Sequence, residues 1–296
     1  GYSSYTGRAH IYFGGTSMNN VEDLTFTGEN ANNYFGLAVS SAGDLNGDGY
    51  SDVVIGAKRY NSFTGRAYVY FGDLSMDNTV DITFTGDSPN ILFGESVSTA
   101  EDVNGDGYSD LIISASSYDG GNGRAFLYFG GSAMDDSPDV VMSGTTLTNF
   151  GGSVSNAGDV NGDGYSDVII GEKFAYYSAT GRAYIYLGGE SMNGIADHTL
   201  TGEGSSNYFG VSVSSAGDVN GDGFSDVIAG AYGFNGSTGK SYLYMYGMNG
   251  TIISDLNMSG AAILRELGSS VSTAGDVNAD GYDDLIIGAP HSAGGA

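Results

Sequence analysis

Asp44-Leu45-Asn46-Gly47-Asp48-Gly49-Tyr50-Ser51-Asp52 places carboxylate or amide oxygens at its first, third, fifth and ninth positions. The same pattern, Asp-x-Asn-x-Asp-Gly-aromatic-x-Asp, without a glycine at the fourth position in its last copy, starts again at Asp102, Asp159, Asp218 and Asp276, separated by 58, 57, 59 and 58 residues. A near-constant period of this length is the signature of one structural unit repeated along the chain. Reading outward from the first copy, Phe35 to Ser40 alternates in polarity before the loop, and Asp52 to Ala57 is a continuous apolar run after it. Arg66 to Phe71 and Asp81 to Thr85 complete four strand-like segments. In the third segment Ala67, Val69 and Phe71 share one face, and Tyr68 and Tyr70 share the other. Both faces carry apolar bulk, so both must be covered.

Sheets covered on both sides by copies of themselves stack radially as propeller blades, whereas a sandwich would leave half of these faces wet. The expected fold is all-β: a five-bladed β-propeller of four-stranded antiparallel blades, one domain over residues 1–296. Blades are expected at about 35–86, 93–144, 150–202 and 209–260, with a fifth made from 267–296 plus 1–28. The start of the chain holds only the last two segments of a unit and its end only the first two, which predicts a ring closed by a blade shared between the termini.

The acidic loop supplies hard oxygen donors at positions 1, 3, 5 and 9, with the carbonyl of position 7 available and a glycine at position 6 for a sharp turn. Calcium takes six to eight such oxygens in flexible geometry, and magnesium is more demanding. The candidate ligands are Asp44, Asn46, Asp48, Tyr50 and Asp52 in the first loop and Asp102, Asn104, Asp106, Tyr108 and Asp110 in the second. Asp159, Asn161, Asp163, Tyr165 and Asp167 form the third set, and Asp218, Asn220, Asp222, Phe224 and Asp226 the fourth. Asp276, Asn278, Asp280, Tyr282 and Asp284 form the fifth, where Ala279 replaces a glycine and Asp283 adds an acid. About five Ca2+ ions are expected. An EF-hand would need Glu at position 12, where these loops carry Ile55, Ile113, Ile170, Ala229 and Ile287. Asn, Asp and Gly also dominate plain turns. Fifteen carboxylates clustered at fixed offsets would repel one another without a counter-charge, which favours metal.

Phe35-Gly36, Phe93-Gly94, Phe150-Gly151 and Phe209-Gly210 precede the loops, Leu267-Gly268 diverges, and Gly288-Ala289-Pro290 follows the last loop. With the acidic loop between these elements, the chain resembles the FG-GAP repeat of integrin α subunits and of many bacterial surface proteins. The resemblance implies a propeller with the calcium loops on one rim and recognition on the opposite rim. This chain has fewer repeats than the integrin head, so the resemblance does not fix the partner.

Thirty-five acids against nine bases give a formal charge of −26, which disfavours nucleic acid and anionic membranes as partners. No apolar run is long enough to span a bilayer, so no membrane insertion is expected. The chain opens on Gly1 without a signal peptide, which predicts a processed or excised chain. It has no cysteine, and His10, His198 and His291 are isolated. No nucleophile or zinc motif occurs, and no enzymatic activity is expected.

Arg8, Arg66, Arg124, Arg182 and Lys240 recur at one place in each unit, which suits a scaffold clamp better than a ligand site. A ligand site should break the repeat. The joins between second and third strands do so, and they carry Lys58, Arg59, Tyr60, Tyr118, Lys173, Tyr176, Tyr177 and Tyr232 as candidate ligand residues. The leading functional expectation is a secreted or cell-surface adhesion module that recognises an extracellular protein or glycan. A structural surface-layer or filament subunit that self-associates, and a non-catalytic accessory domain of a secreted enzyme, are the alternatives.

Overall fold

Successive residues of Asp110–Ala115 point into two different cores, and this single strand explains the architecture. Leu111 and Ile113 pack with Val54, Val69 and Phe84 of the preceding repeat. Ile112 packs with Val154, Val168 and Ile170 of the following one. All six residues of the strand are buried. Each such side chain contributes about 1.5–3 kcal/mol on leaving water, so only a sheet sandwiched between two others satisfies this sequence.

The computed structural model describes residues 6–145, 147–174, 179–247, 251–260 and 265–291. The first repeat forms β3 (Ala38–Gly43), β4 (Asp52–Gly56), β5 (Arg66–Tyr70) and β6 (Ile82–Thr85). The second forms β7 (Phe93–Glu101), β8 (Asp110–Ala115), β9 (Arg124–Tyr128) and β10 (Val140–Ser143). The third forms β11 (Phe150–Gly158), β12 (Asp167–Glu172), β13 (Arg182–Tyr186) and β14 (His198–Thr201). The fourth forms β15 (Val213–Gly217), β16 (Asp226–Ala231), β17 (Lys240–Gly247) and β18 (Thr251–Ser259). Each set is one four-stranded antiparallel sheet with its strands in sequence order. Neighbouring innermost strands meet in turn, β3 with β7, β7 with β11, β11 with β15, and β15 with β19 (Ser270–Gly275). This is the arrangement of propeller blades. The split of β5 also follows the expected alternation, with Ala67 and Val69 in one core and Tyr68 and Tyr70 in the other.

The Phe-Gly pair joins consecutive blades. Phe35, Phe93, Phe150 and Phe209 are buried, and the glycine that follows each lies against the blade before. Gly94 has φ 77°, and a Cβ on it would sit 2.5 Å from the Arg66 carbonyl oxygen. Only glycine tolerates both the left-handed conformation and that approach.

The expected shared blade is not formed among the described residues. β1 (Arg8–Ile11) and β2 (Leu24–Thr27) make one two-stranded sheet, and β19 with β20 (Asp284–Gly288) makes another. β1 and β2 pack on the first blade through Phe26, Ala9, Ile11 and Leu24. β19 and β20 pack on the fourth through Val271, Leu285 and Ile287. Each pair therefore satisfies one face, and among the described residues its second face and its free edge stay open.

Candidate metal centre and ligand rim

In a meander of antiparallel strands the connection from first to second strand and that from second to third leave at opposite ends of the sheet. The acidic loops therefore line one rim, and the variable joins line the other.

Within the first loop the side-chain oxygens are turned inward on the backbone. Asp44 Oδ1 accepts from Gly47 N–H and Asp48 N–H at 2.8 and 3.0 Å, and Asp44 Oδ2 accepts from Gly49 N–H at 2.8 Å. Asn46 Oδ1 accepts from Asp48 N–H, and Asp48 Oδ1 accepts from Tyr50 N–H, both at 2.9 Å. Asn46 Nδ2 donates to Asp48 Oδ2 at 3.0 Å, so positions 3 and 5 already converge. The loops at Asp102, Asp159 and Asp218 repeat the turn, with Gly105, Gly162 and Gly221 N–H groups on the first aspartate. Because these oxygens serve the loop's own N–H groups, no three carboxylate or imidazole side chains among the described residues converge as a ready-made cage.

Position 9 differs from the other candidate ligands. Asp52, Asp110 and Asp167 are buried, and both oxygens of each accept backbone N–H groups. For Asp52 these are Leu45 N–H and Gly72 N–H, each at 2.8 Å. For Asp110 they are Val103 and Gly130, and for Asp167 they are Val160 and Gly188. The residue thus ties its loop to the end of the third strand. Burial pushes the Asp52 carboxyl up to about 6 and those of Asp110 and Asp167 up to about 7, against the lowering effect of the N–H donors. The neighbouring loop aspartates add to the rise. Each carboxylate oxygen can accept more than one partner, so these bonds leave the donor capacity of the site in place.

The donor set fits a hard cation by its chemistry: three carboxylates and an amide oxygen within nine residues, with no sulfur or imidazole among them. The loops also pack on one another. A Cβ on Gly47 would lie 2.4 Å from the Tyr108 ring, and Gly105, Gly162 and Gly221 meet Tyr165, Phe224 and Tyr282 in the same way. In the fifth loop Ala279 takes the left-handed conformation with φ 60°. Asp283 joins two loops, since its Oδ2 accepts from Asp218 N–H at 2.9 Å, where Ser109 Oγ accepts from Asp44 N–H. Nothing in a single repeat signals that inter-loop bond, because its partner lies a full period away.

On the opposite rim the candidate ligand residues do not form one cluster. Lys58 Nζ is bonded to Glu95 Oε1 of the next blade at 2.8 Å, which removes it from the free cations. Tyr60 and Tyr118 lie beneath Arg66 and Arg124, each at 3.8 Å, and Tyr118 also donates to Asp87. Tyr232 stacks on Tyr208 at 4.9 Å, and Lys173 lies 5.2 Å from the Phe174 ring. Tyr176 and Tyr177 lie outside the described residues. Arg59 is the exception, with no carboxylate partner among the described residues, its guanidinium 4.0 Å from the Tyr34 ring and 5.1 Å from that of Phe63. The recurrent cations act as clamps: Arg66 with Glu29, Arg124 with Asp119 and Lys240 with Glu203.

A family model described as FG-GAP repeat matches residues 35–70, 93–128, 150–186, 209–244 and 267–296. Integrin alpha-5 of Xenopus laevis is 34% identical over 155 residues, covering 48% of this chain and 15% of that protein. Integrin alpha-PS3 of Drosophila melanogaster is 36% identical over 155 residues, covering 47% of this chain and 13% of that protein. Integrin alpha-7 of Homo sapiens is 35% identical over 158 residues, covering 51% and 13%. The similarity thus spans about half of this chain and a small part of each relative.

Proposed function

The chain belongs to the FG-GAP repeat family, and on that premise we propose that it is an extracellular recognition propeller, with calcium held by its acidic loops and a protein or glycan bound on the opposite rim. The observation that carries this reading is the contrast between the rims. Four loops at Asp44, Asp102, Asp159 and Asp218 repeat one hydrogen-bonding scheme. The opposite joins present a different set of cations and aromatic rings on every blade. A repeated rim suits a scaffold ion, and an asymmetric rim suits an asymmetric partner.

In this reading Asp44, Asn46, Asp48, Asp52 and the Tyr50 carbonyl hold the cation in the first loop, and the equivalent residues do so in the others. A bound divalent cation supplies the counter-charge that three crowded carboxylates lack. Asp52 holds the loop to Gly72 and so fixes the distance between loop and sheet. Calcium sites of extracellular modules are weak, about 10⁻⁴ to 10⁻³ M, which suits a protein that works outside the cell. Membership of the family and the similarity to integrin α subunits support an adhesion role.

Titration calorimetry of chelator-stripped protein tests the metal. Each filled site should stabilise the fold by about 2.7 kcal/mol at a hundredfold excess over Kd, so calcium should raise the melting temperature in steps as sites fill. No heat of calcium binding, or equal binding of magnesium, would overturn the assignment.

A further inference from the structure

The first blade's variable rim encloses an open cavity of about 440 Å³ between residues 30–33 and 59–63, within the range of about 300–1,000 Å³ typical of small-ligand sites. We propose that this cavity binds a uronic acid residue of an acidic glycan, with the Arg59 guanidinium taking the sugar carboxylate. The inference rests on the recognition reading above and is independent of the calcium loops.

Three observations point to that ligand. The first is charge. In a chain of net charge −26 no acidic residue lines this cavity among the described residues. The adjacent Glu29 is already engaged by Arg66 at 3.0 Å. The Arg59 guanidinium carbon lies 4.0 Å from the Tyr34 ring centroid and 5.1 Å from that of Phe63, and no carboxylate among the described residues pairs with it, which leaves its N–H groups for a planar anion.

The second is hydrogen-bonding capacity. Asn30, Asn32, Asn33 and Asn61 line the cavity. Asn33 is only 7% exposed, and its Nδ2 has no hydrogen-bond partner among the described residues. That Nδ2 has no exposed surface and lies behind the cavity wall, so the amides open to a ligand are those of Asn30, Asn32 and Asn61. Amide side chains both donate and accept, as vicinal sugar hydroxyls do. An acidic peptide side chain offers acceptors alone.

The third is backbone strain. Asn61, Ser62 and Phe63 are consecutive left-handed residues with φ 42°, 60° and 63°. The corresponding residues of the second blade are Asp119, Gly120 and Gly121. Glycine would serve the turn, yet this blade holds a 41% exposed phenylalanine at the cavity wall. The next blade fixes the turn, with Asn90 N–H and Leu92 N–H donating to the Ser62 and Phe63 carbonyls at 3.2 and 2.9 Å. A rigid aromatic wall beside amides and a cation matches the apolar face and polar edge of a pyranose.

Binding of a tetrasaccharide alternating glucuronate and N-acetylglucosamine is to be measured on the full chain in calcium buffer. The N-acetylglucosamine tetramer is the neutral control and a hexaglutamate peptide the acidic one. The uronate should bind at least about tenfold more tightly than either, and Arg59→Gln should weaken it by about ten- to a hundredfold, the loss of a charge-assisted hydrogen bond. Phe63→Gly should weaken binding while raising the melting temperature, which a packing residue would not do. Equal binding of the neutral tetramer, tighter binding of hexaglutamate, or an Arg59→Gln variant that binds normally overturns the proposal. So does no binding by a protein that still shows its calcium-dependent melting; that result leaves the recognition reading open to other ligands, whereas loss of the calcium response itself strikes the reading above.

Discussion

Asp110 receives Val103 N–H at 2.9 Å and Gly130 N–H at 2.8 Å while buried, and Asp106 four residues earlier is exposed on the same loop. The two carboxylates therefore do different work. Removing Asp110 leaves two buried donors without acceptors, at about 1–3 kcal/mol each. Asp110→Ala should accordingly lose on the order of 2–5 kcal/mol of unfolding free energy in chelator, read from denaturant melts. Asp106→Ala should stay within about 0.5 kcal/mol in chelator and lose stability only relative to the calcium-loaded protein. Equal losses for both variants in chelator would show that position 9 is not a latch. The latch role of the ninth aspartate, beside its candidacy as a ligand, is not legible in the sequence, because periodicity reports residue type and spacing. It does not report that the oxygens reach back to Leu45, Val103 or Val160, or across to Gly72, Gly130 or Gly188. Asp283 illustrates the same limit, since its partner Asp218 is 65 residues away.

The third strand of each blade buries tyrosines against the neighbouring sheet. Tyr68, Tyr128, Tyr186, Tyr242 and Tyr244 are pushed well above the usual phenol range by burial, with nearby carboxylates adding to the effect, and Tyr70 and Tyr184 are pushed up to about 12. The folded state favours the neutral phenol, whereas the unfolded chain ionises near pH ~10. Stability is therefore unaffected by these groups below about pH 10 and is lost as the pH rises above it. Phenolate absorbance and circular dichroism followed together should show exposed tyrosines titrating first and the buried set ionising only as β-structure disappears. Complete ionisation with native dichroism would contradict the packing. These strands were legible in the sequence because alternation along Arg66–Tyr70 places Ala67 and Val69 against Tyr68 and Tyr70 with no long-range information. The variable joins were less so. Lys58 meets Glu95 across 37 residues, and Phe63 holds a left-handed conformation without the glycine that marks it. Such contacts depend on how one blade sits beside the next, which the repeat of a single blade does not encode.

At the scale of the whole molecule, three joints between full blades are complete, and among the described residues β1–β2 on the first blade and β19–β20 on the fourth each make half of a further one. Val39 is 56% exposed while its counterparts Val97, Val154, Val213 and Val271 are buried, and Ile286 is 62% exposed while Val54, Ile112, Ile169 and Ile228 are buried. The two open faces are the complements that every other joint brings together, and covering each side chain contributes about 1.5–3 kcal/mol. In the first blade Val54 of β4 stands opposite Val69 of β5. The same register would set Ile286 of β20 opposite Ile11 of β1, closing the ring through a shared blade. The loop rim of that joint must differ from the others, because the Ala279 Cβ occupies the space that Gly47, Gly105, Gly162 and Gly221 leave for the next loop's ring. Closure is thus expected through strands β20 and β1, with Tyr50 left uncovered at the rim. The chain has no cysteine, so Ile11→Cys with Ile286→Cys gives a direct test. Antiparallel partners bring their Cα atoms about 4.5–5.5 Å apart, within disulfide range. Oxidation of dilute protein should give a crosslink within one chain, a sharper melting transition and no dimer. Crosslinks only between chains would instead make the same two faces a head-to-tail contact between copies, which extends into rings or filaments. Absence of any crosslink would leave both faces without the partner that the register assigns to them and would sink the closure model.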